Sequence, residues 1–157
     1  MEHLPKSLRL WFYTRKYAPL LSGNVAITTK IQNEIYQDFR IRIQKKDIEQ
    51  FPAILKSYQS YPKTFFRGVF LHDELYLQLK KSSNARTKRF WSCTKEINFA
   101  KHFGNKILLI INAQSNFDVS KDSREQEIIL NRNVNLQLDD IKHEDGYEIL
   151  FVSEINN

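Results

Sequence analysis

The sequence predicts a single-domain α+β protein, helical over about residues 1–62 and strand-rich over about 63–157, with a mixed, mostly antiparallel sheet arrangement. Three observations predict it. Apolar residues recur at helical spacing early in the chain; from Lys63 the pattern turns aromatic, β-branched and alternating; and turn residues such as Asp145-Gly146 punctuate the second half. A length of 157 residues argues for one domain, and 41% hydrophobic with 13% aromatic residues supplies a core.

Taken in order, Ser7 to Tyr17 carries Leu8, Trp11 and Phe12 on one helical face, and Pro19 with Ser22-Gly23-Asn24 closes it. A second helix is expected from Thr29, with Gln32 as its capping-box partner and Ile31, Ile35 and Phe39 inward. Ile48, Phe51, Leu55 and Tyr58 predict a third, whose start Pro52 pulls toward itself because proline suits a first turn. Thr64 to Phe70 reads as a strand interrupted at Arg67-Gly68, Asp73 to Lys80 as a short helix, and Ser82-Ser83-Asn84 as a loop. Arg89 to Ser92 is a strand leading into a helix over Glu96 to Phe103, and Lys106 to Asn112 is a continuous apolar strand. A polar loop, Gln114 to Arg124, precedes strands at Glu127 to Leu130 and Val134 to Leu138; Asp145-Gly146 turns into the last, Tyr147 to Val152.

Composition excludes much. The longest apolar run, Ile107 to Ile111, is too short to cross a bilayer, and the early basic residues do not read as a signal segment, so no membrane partner and a cytoplasmic address are expected. Cys93 is the only cysteine, which rules out an intrachain disulfide. The four glycines, Gly23, Gly68, Gly104 and Gly146, stand apart, so neither a dinucleotide fingerprint nor a P-loop can be written with them; any phosphate must be held by side chains. His3, His72, His102 and His143 lie at no metal-ligand spacing, no metal site is expected, and His102 reads as structural. The net charge of +6 hides an asymmetry: residues 1–106 carry +12 and residues 107–157 carry −6. Lys80, Lys81, Arg86, Lys88 and Arg89 crowd beside Phe90 and Trp91, a mixture that suits a polyanion with stackable bases or a dinucleotide.

Three irregularities stand out. Arg67 sits inside the apolar run Phe65-Phe66-Arg67-Gly68-Val69-Phe70, where a guanidinium is costly to bury without an anion. Ser92-Cys93-Thr94 ends the next strand. Glu125-Gln126-Glu127 enters an apolar strand with two carboxylates directed to one side, an arrangement that suits a cation or developing positive charge between them. Together these motifs, with Ala100 and Phe103 downstream of the second, resemble the R-S-E class of ADP-ribosyltransferases, the cholera-toxin-like and clostridial-toxin-like enzymes. The spacings are 25 residues from Arg67 to Ser92 and 35 from Ser92 to Glu127. The chain departs from the family pattern where Cys93 and Thr94 replace the last two residues of a Ser-Thr-Ser triplet, and where Asn131 replaces a frequent proline.

The resemblance implies a two-sheet ADP-ribosyltransferase core under the N-terminal helices, and NAD as co-substrate. It implies that Arg67 holds an NAD phosphate, that the Gly68 backbone meets the nicotinamide amide, and that Thr94 helps shape the cofactor site. Ser92 would orient Glu127, and Glu127 would bind the ribose 2′-hydroxyl and stabilise positive charge on the sugar, as in glycosidase chemistry. Glu125 would align or deprotonate the acceptor, with Phe117 and Arg124 in contact with it. A toxin or anti-phage effector acting in the cytoplasm, with an antitoxin protein as partner, is the setting implied. The acceptor is RNA or a protein; the basic first 106 residues favour RNA over protein arginine. A non-catalytic basic RNA-binding module is the alternative. Competing local readings make Arg67 a salt-bridge partner of the acidic tail, Ser92 a helix cap, and Trp91 and Phe103 core residues.

Overall fold

The computed structural model describes residues 28–40, 42, 44–122 and 126–156; the helix expected over Ser7 to Tyr17 lies outside them. The chain divides into two compact units, Met1–Tyr58 and Gln59–Asn157.

In the first unit, α1 spans Thr29–Phe39. Its cap is Thr28 rather than Thr29: the Thr28 hydroxyl accepts from the Ile31 amide at 3.2 Å, and the Thr28 carbonyl receives the Gln32 amide. Ile35 is fully buried and Ile31 half-buried, while the Phe39 side chain lies outside what is described. The helix ends at Arg40, in the left-handed region at φ 56°, where the amide donates back to Tyr36. The next helix, α2, spans Lys45–Leu55 and does not wait for Pro52. The Asp47 carboxylate accepts from the Gln44 amide at 2.9 Å and fixes the earlier start. Proline inside a helix costs about 3 kcal/mol. Burying Ile48, Phe51 and Leu55 along one stripe contributes about 1.5–3 kcal/mol each, which keeps the helix intact through Pro52.

The second unit is built on eight strands: β1 (Phe65–Val69), β2 (Asn84–Arg86), β3 (Trp91–Thr94), β4 (Ile107–Asn112), β5 (Asn116–Asp118), β6 (Glu127–Leu130), β7 (Asn135–Glu144) and β8 (Tyr147–Glu154). Two helices join them, α3 (Glu74–Ser82) after β1 and α4 (Ile97–Lys101) after β3. The strands run in the order β2-β7-β8-β4-β1-β3-β6-β5. Among the described residues only β4 and β8 pair in parallel, so the sheet is mixed and mostly antiparallel, as the sequence predicts.

The expected division into two sheets is not what the hydrogen bonding shows: all eight strands form one continuous sheet. The join between β1 and β3 is nevertheless a single residue pair, Phe66 with Thr94, whereas β1 pairs with β4 along all five residues from Phe65 to Val69. Beyond that pair the two strands diverge, and the site residues lie around the divergence.

The continuous apolar run of β4 is explained by burial on both faces. Ile107, Leu109 and Ile111 join Phe65, Val69, Trp91, Cys93, Ile128 and Leu130 in a core closed by Leu75, Tyr76 and Leu79 of α3. Leu108 and Ile110 face the other way, with Phe66, Ala100 and Ile97.

Two strands have no counterpart in the sequence reading. The Ser82-Ser83-Asn84 stretch is a loop only at Ser83, which ends α3 in the left-handed region before Asn84 opens β2. Inside the expected polar loop, β5 is held by Asn116, whose buried amide group accepts from the Tyr61 amide at 2.7 Å and donates to the Tyr61 carbonyl at 3.1 Å and the Ala113 carbonyl at 2.7 Å. One asparagine thus acts as an extra backbone rung between segments 55 residues apart. No helix among the described residues is long and apolar enough to cross a membrane.

Candidate active site

Arg67 lies within an unbroken β1, opposite Leu109, and Gly68 lies opposite Leu108; the interruption expected at this dipeptide does not occur. The guanidinium is mostly buried, with 18% of the side chain exposed, and its partner is not the acidic tail. One terminal nitrogen donates to the Asp73 carboxylate at 2.9 Å; the other donates to the Ser92 carbonyl of β3 at 2.6 Å. The side chain therefore spans the place where β1 and β3 stop pairing and supplies a bond that the ladder does not. Asp73 uses its second oxygen to cap α3, accepting from the Tyr76 amide at 3.0 Å. The Arg67 guanidinium carbon lies 4.6 Å from the centroid of Trp91, and that of Arg89 lies 4.3 Å from it. The Nε atoms of Arg67 and Arg89 and the indole nitrogen of Trp91 are all buried without a hydrogen-bond acceptor. Three unmet donors around one indole leave spare capacity for an anion.

Ser92 is a mid-strand residue of β3, not a helix cap, and its hydroxyl donates to the Glu127 carboxylate in a very short hydrogen bond. Register explains the contact. Glu127 pairs with Thr94 across β3 and β6, and Ser92 is two residues back on the same strand, so their side chains share one face. Glu127 is 0% exposed. A buried carboxylate needs donors, and Ser92 is one. Thr94 is also buried; its hydroxyl accepts from the Glu96 amide at 3.1 Å and shapes the turn into α4.

Between them, Cys93 points into the core. Burial pushes its thiol up to about 12; the Arg67 charge works against that, and the Glu127 and Asp73 charges add to it. At neutral pH the group is therefore a neutral thiol and poorly nucleophilic. Iodoacetamide is expected to leave Cys93 unmodified in the folded protein and to alkylate it fully in denaturant, as read by intact mass; rapid native alkylation would contradict this placement.

Gly68 is fixed by packing. A Cβ there would lie 1.9 Å from the Ala100 carbonyl oxygen and 2.9 Å from that of Phe103. Gly104, at φ 80°, approaches the Val69 backbone equally closely, with a built Cβ 1.9 Å from its carbonyl oxygen. Asn105 completes the clamp: its amide donates to Val69 at 3.0 Å, and its side chain accepts from the Leu71 amide at 2.8 Å. The segment after α4 thus grips the end of β1 that carries Arg67 and Gly68.

One residue of that segment departs from expectation. Phe103 is not core: the helix ends at Lys101 rather than Phe103, which leaves the ring 46% exposed and 5.0 Å from that of Phe99. His102 is the exposed C-cap of α4. Trp91, in contrast, is buried as expected.

Among the acceptor-side residues, Phe117 is half-buried on β5 and meets Phe90 edge-on at 6.5 Å. Arg124 and Glu125 lie outside the described residues. Among the described residues no three His, Cys, Asp or Glu side chains are grouped to hold a metal ion. Sequence reasoning missed Asp73, Asn105 and the pairing of Arg89 with Trp91. Asp73 had a local signal, as an aspartate before a helix, but nothing in the sequence tied it to Arg67.

No family model and no curated protein matches the chain by sequence. Solved structures do match in shape. Vis, an ADP-ribosyltransferase toxin from Vibrio splendidus solved with agmatine, superposes with a TM-score of 0.66 at 17% identity, over 96% of this chain and 73% of that one. The fold is that of the ADP-ribosyltransferases. Exoenzyme S of Pseudomonas aeruginosa, solved with human 14-3-3 protein beta and carba-NAD, matches at 0.63 and 18% identity over 96% of this chain and 73% of its own. The catalytic domain of VahC from Aeromonas hydrophila matches at 0.59 and 14% identity, over 97% of this chain and 99% of that domain. With the ADP-ribosyltransferase fold in place, Arg67, Ser92 and Glu127 fall on the three adjacent strands β1, β3 and β6.

Proposed function

We propose that the protein is an NAD-dependent mono-ADP-ribosyltransferase that acts in the cytoplasm as a toxin or anti-phage effector and modifies a macromolecular acceptor. The observation that carries this reading is the linkage Arg67 to the Ser92 carbonyl and Ser92 hydroxyl to Glu127, three segments joined at one divergence in a sheet of this fold. The residues fit NAD as substrate. The Arg67 guanidinium, suited to phosphate, keeps its buried Nε without an acceptor, and the Glu127 carboxyl group is already oriented by a hydroxyl.

In this reading Arg67 binds an NAD phosphate, and Gly68 and Thr94 border the nicotinamide side. Glu127 holds the ribose 2′-hydroxyl, and Ser92 keeps its carboxylate aimed. NAD supplies a ribose–nicotinamide bond whose electron pair leaves with the nicotinamide, and the acceptor atom bonds the same ribose carbon. Glu127 opposes the positive charge that develops on the sugar, and its burial makes that opposition stronger than in water. Glu125 takes the acceptor's proton, and Phe117 and Arg124 contact the acceptor.

RNA is the favoured acceptor, on the +12 balance of residues 1–106. A second reading, protein arginine, draws on the agmatine bound by Vis, a guanidinium compound, and on the Glu125-Gln126-Glu127 pattern of the sequence. An antitoxin partner follows from either if the enzyme acts in its own cell. Labelled NAD incubated with protein and lysate decides between them. Label removed by RNase is the expected result, and label removed by protease assigns a protein acceptor. Free ADP-ribose alone indicates hydrolysis, and no NAD consumption rejects the enzyme reading in favour of a binding module.

A further inference from the structure

The sheet begins at β2, four strands before β1 in the order, and this edge carries a separate feature. A groove of about 660 Å³ opens between the last turn of α3, β2 and the start of β7. Three cations line it, Lys81 from α3, Arg86 from β2 and Lys88 from the segment after β2, all exposed. Neutral hydrogen-bonding side chains, Ser82, Asn84 and Asn135, alternate with them, and no carboxylate lines the groove. Charge on an edge strand alone serves to deter strand-to-strand aggregation. Here the cations come from three different segments and converge on a concavity, which concentrates positive potential instead of dispersing it.

The groove is joined to β3 by a short stretch of chain. Lys88 and Ser92 are four residues apart, so their Cα atoms are separated by at most about 14 Å, and Arg86 by at most about 21 Å from Ser92. At about 3.4 Å per nucleotide these limits correspond to at most about four and six nucleotides. Arg89, next along the chain, lies over the Trp91 indole that Arg67 also covers and pairs with Glu74 at 3.7 Å. The lining holds no aromatic side chain for base stacking, so the recognition is of backbone rather than sequence. The Ser82 hydroxyl already donates to backbone carbonyls, at 2.8 Å to Asn84, so the side-chain amides of Asn84 and Asn135 are the neutral donors suited to phosphate oxygens and 2′-hydroxyls.

We propose that this groove binds the phosphodiester backbone of single-stranded RNA, beside the chain segment that leads into β3. The proposal rests on the ADP-ribosyltransferase reading for the fate of the RNA, but not for its binding. The test is fluorescence anisotropy of a short labelled oligouridine with wild type and with the triple variant Lys81→Gln, Arg86→Gln, Lys88→Gln, across a salt series. The variant is expected to bind at least ten-fold more weakly at low salt, and its log–log salt dependence to be shallower by about 2, since each lost phosphate contact on a single strand removes about 0.7. NAD hydrolysis without acceptor is expected to be equal in both proteins. If the triple variant fails to fold, Lys81→Gln and Arg86→Gln singly should each weaken binding about three-fold and flatten the slope by about 0.7. Unchanged RNA affinity and slope would overturn the proposal, as would equally tight binding of poly-glutamate, which would assign the groove to acidic protein. Absence of NAD hydrolysis in wild type alongside groove-dependent RNA binding would reject the enzyme reading and leave the groove assignment standing.

Discussion

Glu127→Gln is expected to reduce NAD turnover by about 10²- to 10³-fold while leaving the melting temperature unchanged or slightly raised. On the proposed mechanism, the activity loss follows from removing one preorganised charge that opposes the developing ribose cation, worth about 3–4 kcal/mol in a water-excluded site. The stability result follows from the geometry of the side chain. Glutamine is the same size, its carbonyl oxygen still accepts from the Ser92 hydroxyl, and a fully buried charge is exchanged for a neutral group that is cheaper to desolvate. Opposite movements in rate and stability separate a working carboxylate from a structural one. Steady-state nicotinamide release together with thermal denaturation reads both, and full turnover in Glu127→Gln would reject the assignment.

Gly68→Ala is expected to destabilise the second unit by about 3 kcal/mol or more, a fall in melting temperature on the order of 10 °C. The added methyl meets the Ala100 carbonyl oxygen at 1.9 Å, and that oxygen belongs to a helix backbone that cannot rotate away. Either α4 moves off β1 or β1 bends, and both displace the strand that carries Arg67. Gly146→Ala is the control. At φ 81° it meets only the far end of the Lys106 side chain at 3.9 Å, so its cost is the left-handed backbone alone, about 1–2 kcal/mol. Circular dichroism melts of the two variants check the difference, and equal losses would show that the contact at Gly68 relaxes freely.

The parts of the fold legible in the sequence were those where burial imposes a pattern. β4 is apolar throughout because both its faces are covered, and β6 follows the same logic with Glu127 as its polar exception. Arg67, Ser92 and Glu127 could be singled out because each is polar where its strand is otherwise buried. β2 and β5 were not legible. Three residues are too few for an alternation, and Asn84, Arg86, Asn116 and Asp118 all favour turns or solvent when read alone. They are strands because partners complete them: β7, distant in sequence, for β2, and the next strand, β6, for β5. Pro52 misled for a related reason: local propensity marks a start there, and a buried stripe decides otherwise. At the site, the contact of Arg67 with Asp73 and the grip of Gly104 and Asn105 on Val69 arise from tertiary closure, which carries no periodicity to read.

The bond from Arg67 to the Ser92 carbonyl sets up a competition. A phosphate group that recruits that guanidinium nitrogen takes it from the oxygen holding β3 beside β1, so anion occupancy and strand separation share a single donor. By thermodynamic reciprocity, whatever spreads these strands raises the affinity for the anion, and whatever closes them lowers it by the same factor. On the proposed NAD reading, a substitution elsewhere that shifts β3 by a fraction of an ångström would then register as a change in affinity for the dinucleotide, although the altered side chain never touches it.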